Sequence, residues 1–252
     1  MVSLYALWSA WLQTLTLPAY LGMGLMVLVG AAMQGIGGLG YAMFCAPLAA
    51  LYFPQLVPGP LLAVGAPLAL LAYLRERQAL DVRVAAAALS GRVLGTALAA
   101  AILHWFDGDG LAVFFALSIL AAVALSFGGW KVAPTPGNLS VAGLFSGVMG
   151  TITSAGGPPF AIAMQQLPPA RIRATLGVVF FAGTLVSLIA LTWVGRMGAA
   201  QWFYSLALMP WMMAGFGASS ALAPHVSRQR IRQGLLGTAL VSALVILWQA
   251  LR

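Results

Sequence analysis

Residues 147–159 read Gly-Val-Met-Gly-Thr-Ile-Thr-Ser-Ala-Gly-Gly-Pro-Pro, and their last six, Ser154-Ala155-Gly156-Gly157-Pro158-Pro159, form a string that breaks a helix. The string lies near the middle of an apolar run, Asn138–Leu167. As one straight helix that run would reach roughly 45 Å, against a hydrocarbon core of about 30 Å. A second such run, Gly22–Phe53, is interrupted by Gly35-Ile36-Gly37-Gly38-Leu39-Gly40. Both are therefore expected to be broken hairpins of two half-helices. Pro158 suits the first turn of a helix, so one half-helix should begin at Pro158 or Pro159.

Outside these runs the apolar segments are Gly59–Leu74, Val82–Leu103, Leu111–Trp130, Ile172–Val194, Gln201–Ala223 and Ile231–Leu251, each close to one membrane crossing. Only 6% of the 252 residues are charged, where a soluble domain carries about a quarter. The expected fold class is thus an all-α integral membrane protein, a polytopic helical bundle of eight hydrophobic segments in about 8–10 helices. The length of the runs excludes an outer-membrane barrel. A single cysteine, Cys45, excludes a disulfide or a CxxC pair. The net charge of +8 is scattered over helix ends rather than gathered on a face, which argues against nucleic acid as a partner. The bilayer is the expected partner, and residues 1–17, uncharged and holding Trp8 and Trp11, are expected at its interface. Oligomeric state stays open, a homodimer included.

The order of a broken run followed by three single crossings occurs twice. Placing Gly37-Gly38 on Gly156-Gly157 gives an offset of 119 residues and superposes Gln34 on Thr153 and Tyr41 on Phe160. The chain reads as a single transmembrane domain, 1–252, holding repeats at about 20–131 and 138–252, joined by the Pro-rich stretch 132–138. If each broken run returns or crosses twice, Arg75, Arg77, Arg83, Lys131, Arg171, Arg173, Arg228, Arg230 and Arg232 share one side. Only Arg196 and Arg252 oppose them. The positive-inside rule prefers this arrangement, which makes the repeats inverted and the loops 75–83, 131, 171–173 and 228–232 cytoplasmic. Inverted repeats with discontinuous helices form transporters that hold substrate at mid-depth between the breaks.

One charge lies far from any loop: Arg92, in Ser90-Gly91-Arg92-Val93-Leu94-Gly95. A charge there costs about 2.5–3.5 kcal/mol or more, so it needs a reason. Its guanidinium can fork onto an oxyanion, or it can cap carbonyls freed by a neighbouring broken helix. Gly91, Gly95 and Ala99 recur every four residues, letting one face of this helix pack closely. Around the breaks, unwound N–H groups at Gly37, Gly38, Gly156 and Gly157 and the side chains of Gln34, Tyr41, Thr151, Thr153, Ser154, Gln165 and Gln166 are the candidate ligands of an anion. The alternative is that the glycines only allow close packing and the hydroxyls bond their own backbone.

The four acids, Glu76, Asp81, Asp107 and Asp109, all read as loop residues, which excludes a carboxylate-based proton relay. His104 and His225 read as interfacial. An intramembrane enzyme would need a Ser/His dyad, paired acids or a metal cluster at depth, and the sequence offers none. No catalytic residue, metal or cofactor is expected. A membrane assembly or scaffold protein would explain the apolar helices but not twin breaks and a deep arginine.

The two strings Val29–Gly40 and Gly147–Pro159, with Tyr41–Pro47, the Arg75-Glu76-Arg77 turn and the Gly91–Gly95 helix, resemble the paired signature of the TauE/SafE sulfite exporter family. The resemblance covers nearly the whole chain, and Gly156-Gly157-Pro158-Pro159-Phe160 is its most specific part. The first string has Leu39 where a third consecutive glycine is usual. The resemblance implies a bacterial inner-membrane permease for a small anion such as sulfite or an organosulfonate like sulfoacetate. The binding residues expected are Gln34, Gly37, Gly38, Tyr41, Arg92, Thr153, Ser154, Gly156, Gly157, Pro158 and Gln165.

Overall fold

In the computed structural model the described residues are 16–38, 40–105, 113–114, 116–121, 124, 132–225, 237 and 240–248. Helices α1 (Leu17–Gly37) and α2 (Tyr41–Tyr52) form the first broken run, followed by α3 (Gly59–Glu76) and α4 (Val82–Trp105). The second broken run is α5 (Pro136–Thr153) and α6 (Gly157–Ala163), followed by α7 (Pro169–Trp193) and α8 (Ala199–Leu222). Among the described residues the ordered structure is helical throughout. The expectations for residues 1–15, Leu39, Asp107, Asp109, Lys131, Arg228, Arg230, Arg232 and Arg252, and most of the crossings Leu111–Trp130 and Ile231–Leu251, lie outside the described residues.

Proline opens most of these helices. Pro18, Pro60, Pro136, Pro158 and Pro169 all sit in the first two positions of α1, α3, α5, α6 and α7, where a missing N–H costs nothing and the fixed φ suits the helix. α1, α4 and α7 are long and apolar enough to cross a membrane. Leu17, Leu21 and Leu25 on α1 and Leu94 and Leu98 on α4 are exposed at four-residue spacing, as lipid-facing rows are. The chain is an all-α, multi-pass membrane protein.

Arg75 Nη1 donates to the Gly35 carbonyl and to Ser219 Oγ, both at 3.3 Å, and its guanidinium lies 4.1 Å over the Phe216 ring. Arg173 Nε donates to Glu76 at 3.0 Å, and Arg171 pairs with Asp81 at 3.2 Å. These contacts gather the ends of α1, α3 and α8 and the starts of α4 and α7 at one end of the bundle. Glu76 is thus the last residue of α3 rather than a loop residue, held by α7. At the other end Arg196 Nη2 reaches the Leu103 carbonyl at 3.5 Å. α2 folds back along α1, with Cys45 Sγ donating to the Met26 carbonyl at 3.4 Å and the Phe53 ring against Gly22. α6 likewise comes back toward the start of α5, where Met164 packs with Leu139 and Ala85. The first broken run therefore starts from the Arg196 end and returns to it. The second starts from, and returns to, the end that carries Arg75 and Arg173.

The register of the breaks differs from the glycine-on-glycine placement. Gly38 and Ser154, which close α1 and α5, are 116 residues apart, and so are Tyr41 and Gly157, which open α2 and α6. The offset of 119 fails because the two glycine pairs do different work. Gly37-Gly38 ends a helix, with Gly38 left-handed at φ 80°, whereas Gly156-Gly157 leads into one. Pro158 accordingly stands one residue inside α6.

α4 and α5 run parallel and make the most extensive packing in the bundle. A Cβ on Gly91 would lie 1.8 Å from the Ser140 carbonyl oxygen, and one on Gly147 would lie 2.3 Å from that of Arg92. Small residues at both surfaces thus allow backbone contact, the usual means of joining helices in lipid.

Candidate functional site

The two breaks face one cavity. Its wall takes Gln34, Gly40, Tyr41, Ala42 and Met43 from the first break and Ser154, Gly156 and Gly157 from the second. α3 contributes Leu61, Leu62, Gly65 and Ala69, α4 Arg92, and α7 Phe180 and Thr184. About 50 Å³ is open to the centres of water-sized molecules. One water needs roughly 10–15 Å³ by that measure, so the space suits a few waters or one small anion without its hydration shell.

Each break is held by the other half of the chain. Ser154 adopts the left-handed conformation at φ 64°, which costs a residue with a side chain about 1–2 kcal/mol. Its hydroxyl offsets part of this by donating to the Pro58 carbonyl at 2.9 Å, just ahead of α3. Thr153 closes the same turn locally: its hydroxyl donates to the Met149 carbonyl at 2.7 Å and accepts the Ala155 N–H at 3.1 Å. At the first break, Gly38 is covered by the Arg173 side chain at the start of α7. Gln34 Oε1 accepts the Tyr41 N–H at 3.3 Å, taking one of the free donors at the start of α2.

Arg92 is 2% exposed. Its Nη1 donates to Ser146 Oγ at 2.6 Å and to the Ser146 carbonyl at 3.2 Å, and Ser146 Oγ in turn donates to the Gly156 carbonyl at 2.6 Å. The Phe180 ring lies 5.2 Å from the guanidinium carbon. Glycines make the slot: a Cβ on Gly183 would lie 2.1 Å from Nε, and one on Gly156 2.8 Å from Nη1. Nε is buried without a hydrogen-bond partner among the described residues. The described acids Glu76 and Asp81 are paired elsewhere, with Arg173 and Arg171. Arg92 therefore meets both descriptions that the sequence allows. One edge ties the second broken run, and the residue also lines the cavity with no carboxylate paired to it among the described residues.

Tyr41 Oη is also buried and unpartnered among the described residues, 3% of the residue being exposed. Arg92 and Tyr41 both line the cavity, and each carries a buried donor without a partner among the described residues, which is costly while unpaired. Tyr41→Phe is expected to leave thermal stability in detergent unchanged or raised, because no bond is lost. It should also weaken anion binding about tenfold or more, the value of one hydrogen bond to a charged acceptor. Melting curves with and without anion check both halves.

Of the other expected residues, Gly37, Gly38, Thr153 and Pro158 support the breaks without lining the cavity. Gln165 is exposed beyond α6, away from it. Ser146, Gly150 and Gly183, which set the arginine in place, and Phe180 and Thr184, which wall the cavity, went unnoticed in the sequence. No signal marks them there, since Ser146 meets Arg92 across 54 residues. Beyond Arg92, α4, α5 and α7 share a buried hydroxyl cluster: Thr151 Oγ1 is 2.8 Å from Ser187 Oγ and 3.2 Å from Thr96 Oγ1. It satisfies itself and locks the three helices together.

The family model described as sulfite exporter TauE/SafE matches residues 21–246 of the chain. No curated protein and no solved structure matches it.

Proposed function

The chain belongs to the TauE/SafE sulfite exporter family of membrane transporters, and from that premise we propose that it is an inner-membrane secondary transporter of a small anion, sulfite or an organosulfonate. The anion binds in the cavity between the two helix breaks. Arg92 supplies the charge, Tyr41 Oη a further donor, and the backbone at Gly40, Gly156 and Gly157 close approach. Gln34 and Ser154 hold the breaks in shape from within the same wall.

The observation that carries this reading is Arg92 itself: a buried guanidinium without a carboxylate partner among the described residues, facing a cavity that both breaks line. A buried cation left in that state is unfavourable by several kcal/mol unless an anion visits it.

The opposite senses of the two broken runs support a duplicated, inverted architecture, with repeats at about 20–131 and 138–252. Rocking of one half against the other would then expose the site to each side in turn. The cluster of Arg75, Arg77, Arg83, Arg171 and Arg173 at one end supports a cytoplasmic assignment of that end by the positive-inside rule.

Proteoliposomes holding the purified full chain test the activity. Radiolabelled sulfite is expected to enter in a saturable manner, driven by its own gradient, faster than into protein-free liposomes. Equal entry into both, for sulfite and for sulfonates alike, would overturn the reading.

A further inference from the structure

The charge balance of the cavity bears on a narrower question, the ionic form of the substrate. Resting on the anion-transport reading, we propose that the species carried is a monoanion, such as hydrogensulfite or a monosulfonate, and that dianions are rejected.

Titratable side chains on the elements walling the cavity are few. α1 carries Tyr20, α2 Tyr41, Cys45 and Tyr52, and α3 Tyr73, Arg75 and Glu76. α4 carries Arg83, Arg92 and His104, α7 Arg171 and Arg173, and α5 and α6 none. Of all these, only Tyr41 and Arg92 line the cavity. Cys45 is spent on the Met26 carbonyl, and Arg171 and Arg173 are spent on Asp81 and Glu76 at the end of the bundle. The helix ends add little net charge. Each break joins the negative end of one helix, α1 or α5, to the positive end of the next, so their partial charges largely offset. Among the described residues one full positive charge is left at the cavity, that of Arg92.

The rest of the wall is uncharged. Leu61, Leu62, Met43, Ala69 and Phe180 offer no polar side chain, Gln34 Oε1 and the Ser154 hydroxyl are engaged by the Tyr41 N–H and the Pro58 carbonyl, Thr184 adds one neutral hydroxyl, and the space leaves room for few waters. The cost of taking an ion into such surroundings grows with the square of its charge, about fourfold from monoanion to dianion, while the attraction of one arginine only doubles. The monoanion is therefore the form that this site accepts. Arg92 and Tyr41 together suit one oxyanionic head, and the lining residues bring no second charge for another.

Two consequences follow from ordinary acid chemistry. The second ionisation of sulfurous acid falls near neutrality, so hydrogensulfite carries a proton through with the sulfur and no side chain of the protein need titrate. Sulfoacetate, with a sulfonate and a carboxylate, is a dianion at neutral pH and is excluded.

The test uses the full chain in proteoliposomes with labelled sulfite, methanesulfonate and methanedisulfonate, over a pH series that spans the second ionisation of sulfurous acid. Protein-free liposomes are subtracted, and the charge moved per sulfur is read as current on a supported membrane. Sulfite flux should fall about tenfold per pH unit above that ionisation, following the monoanion. Methanesulfonate flux should stay flat, one charge should move per sulfur, and the disulfonate should neither enter nor compete. Sulfite flux that holds level or rises with pH, two charges per sulfur, or entry of the disulfonate would each overturn the proposal while leaving anion transport standing. So would a parallel fall of methanesulfonate flux, which would place the titration on the protein. Absence of flux for all three anions would overturn the transport reading as well.

Discussion

Arg92→Met is expected to reduce anion flux on the order of a hundredfold while the protein still melts near the native temperature. Two opposing terms set the stability. The substitution removes a charge whose cost at mid-membrane is about 2.5–3.5 kcal/mol. It also removes the Nη1 bonds to Ser146, each worth about 1.5–3 kcal/mol as a bond from a charged donor. The two bonds together, about 3–6 kcal/mol, outweigh the cost of the charge by roughly 0–3 kcal/mol, a few degrees in melting temperature, and Ser146 keeps its bond to the Gly156 carbonyl. Methionine fills much of the slot that Gly183 and Gly150 leave open. Nothing replaces the charge for a bound anion, and loss of one partner of a desolvated charge pair costs about 2–5 kcal/mol or more. Arg92→Lys keeps the charge but not the Nε donor, and should fall between the two. An arginine that only braced the second broken run would show the reverse: a clear drop in melting temperature, and normal flux per folded molecule.

Gly91→Ala should be the most damaging single methyl group in the described part of the chain. Its Cβ would lie 1.8 Å from the Ser140 carbonyl oxygen and 2.7 Å from the carbonyl carbon, atoms of the backbone that no rotamer change can move. Gly95 repeats the contact one turn on, 2.0 Å from the Leu144 oxygen. α4 and α5 would have to separate by more than an ångström along their whole contact, drawing Arg92 away from Ser146. Overpacking of this kind costs at least about 3 kcal/mol where neither surface can yield. The yield of folded protein and its melting temperature in detergent are the measurements. Gly217→Ala in α8 is the control, since its Cβ meets nothing within 4 Å, and it should be neutral or better. Equal behaviour of the two variants would show that α4 and α5 are not in backbone contact.

Much of this was open to reading from the residues, because lipid makes the rules strict. An apolar run too long for one crossing and interrupted by Gly-Gly-Pro-Pro has few solutions, and α5 and α6 are the expected one. Arg92 stood out for the same reason: a charge at that depth has to be used. The four-residue spacing of Gly91 and Gly95 named the packing face, though not its partner. What stayed hidden were contacts that depend on how distant elements meet. The relation of the breaks was read from glycine pairs, and the structure shifts it by three residues because one pair ends a helix and the other precedes one. Gln165 is near the second break in sequence, but α6 is only seven residues long and the chain has left the cavity by then. Phe180 and Thr184 belong to α7, an apolar run with no polar cluster to single them out.

The measurement closest to the central claim locates the anion itself. Crystals of the full chain soaked in selenite, which has the shape and charge states of sulfite, would give an anomalous peak wherever it binds. The predicted peak lies between the two breaks, beside Arg92 and Tyr41. A cavity without a peak at saturating selenite, or a peak only at the exposed arginines of the helix ends, would contradict the account.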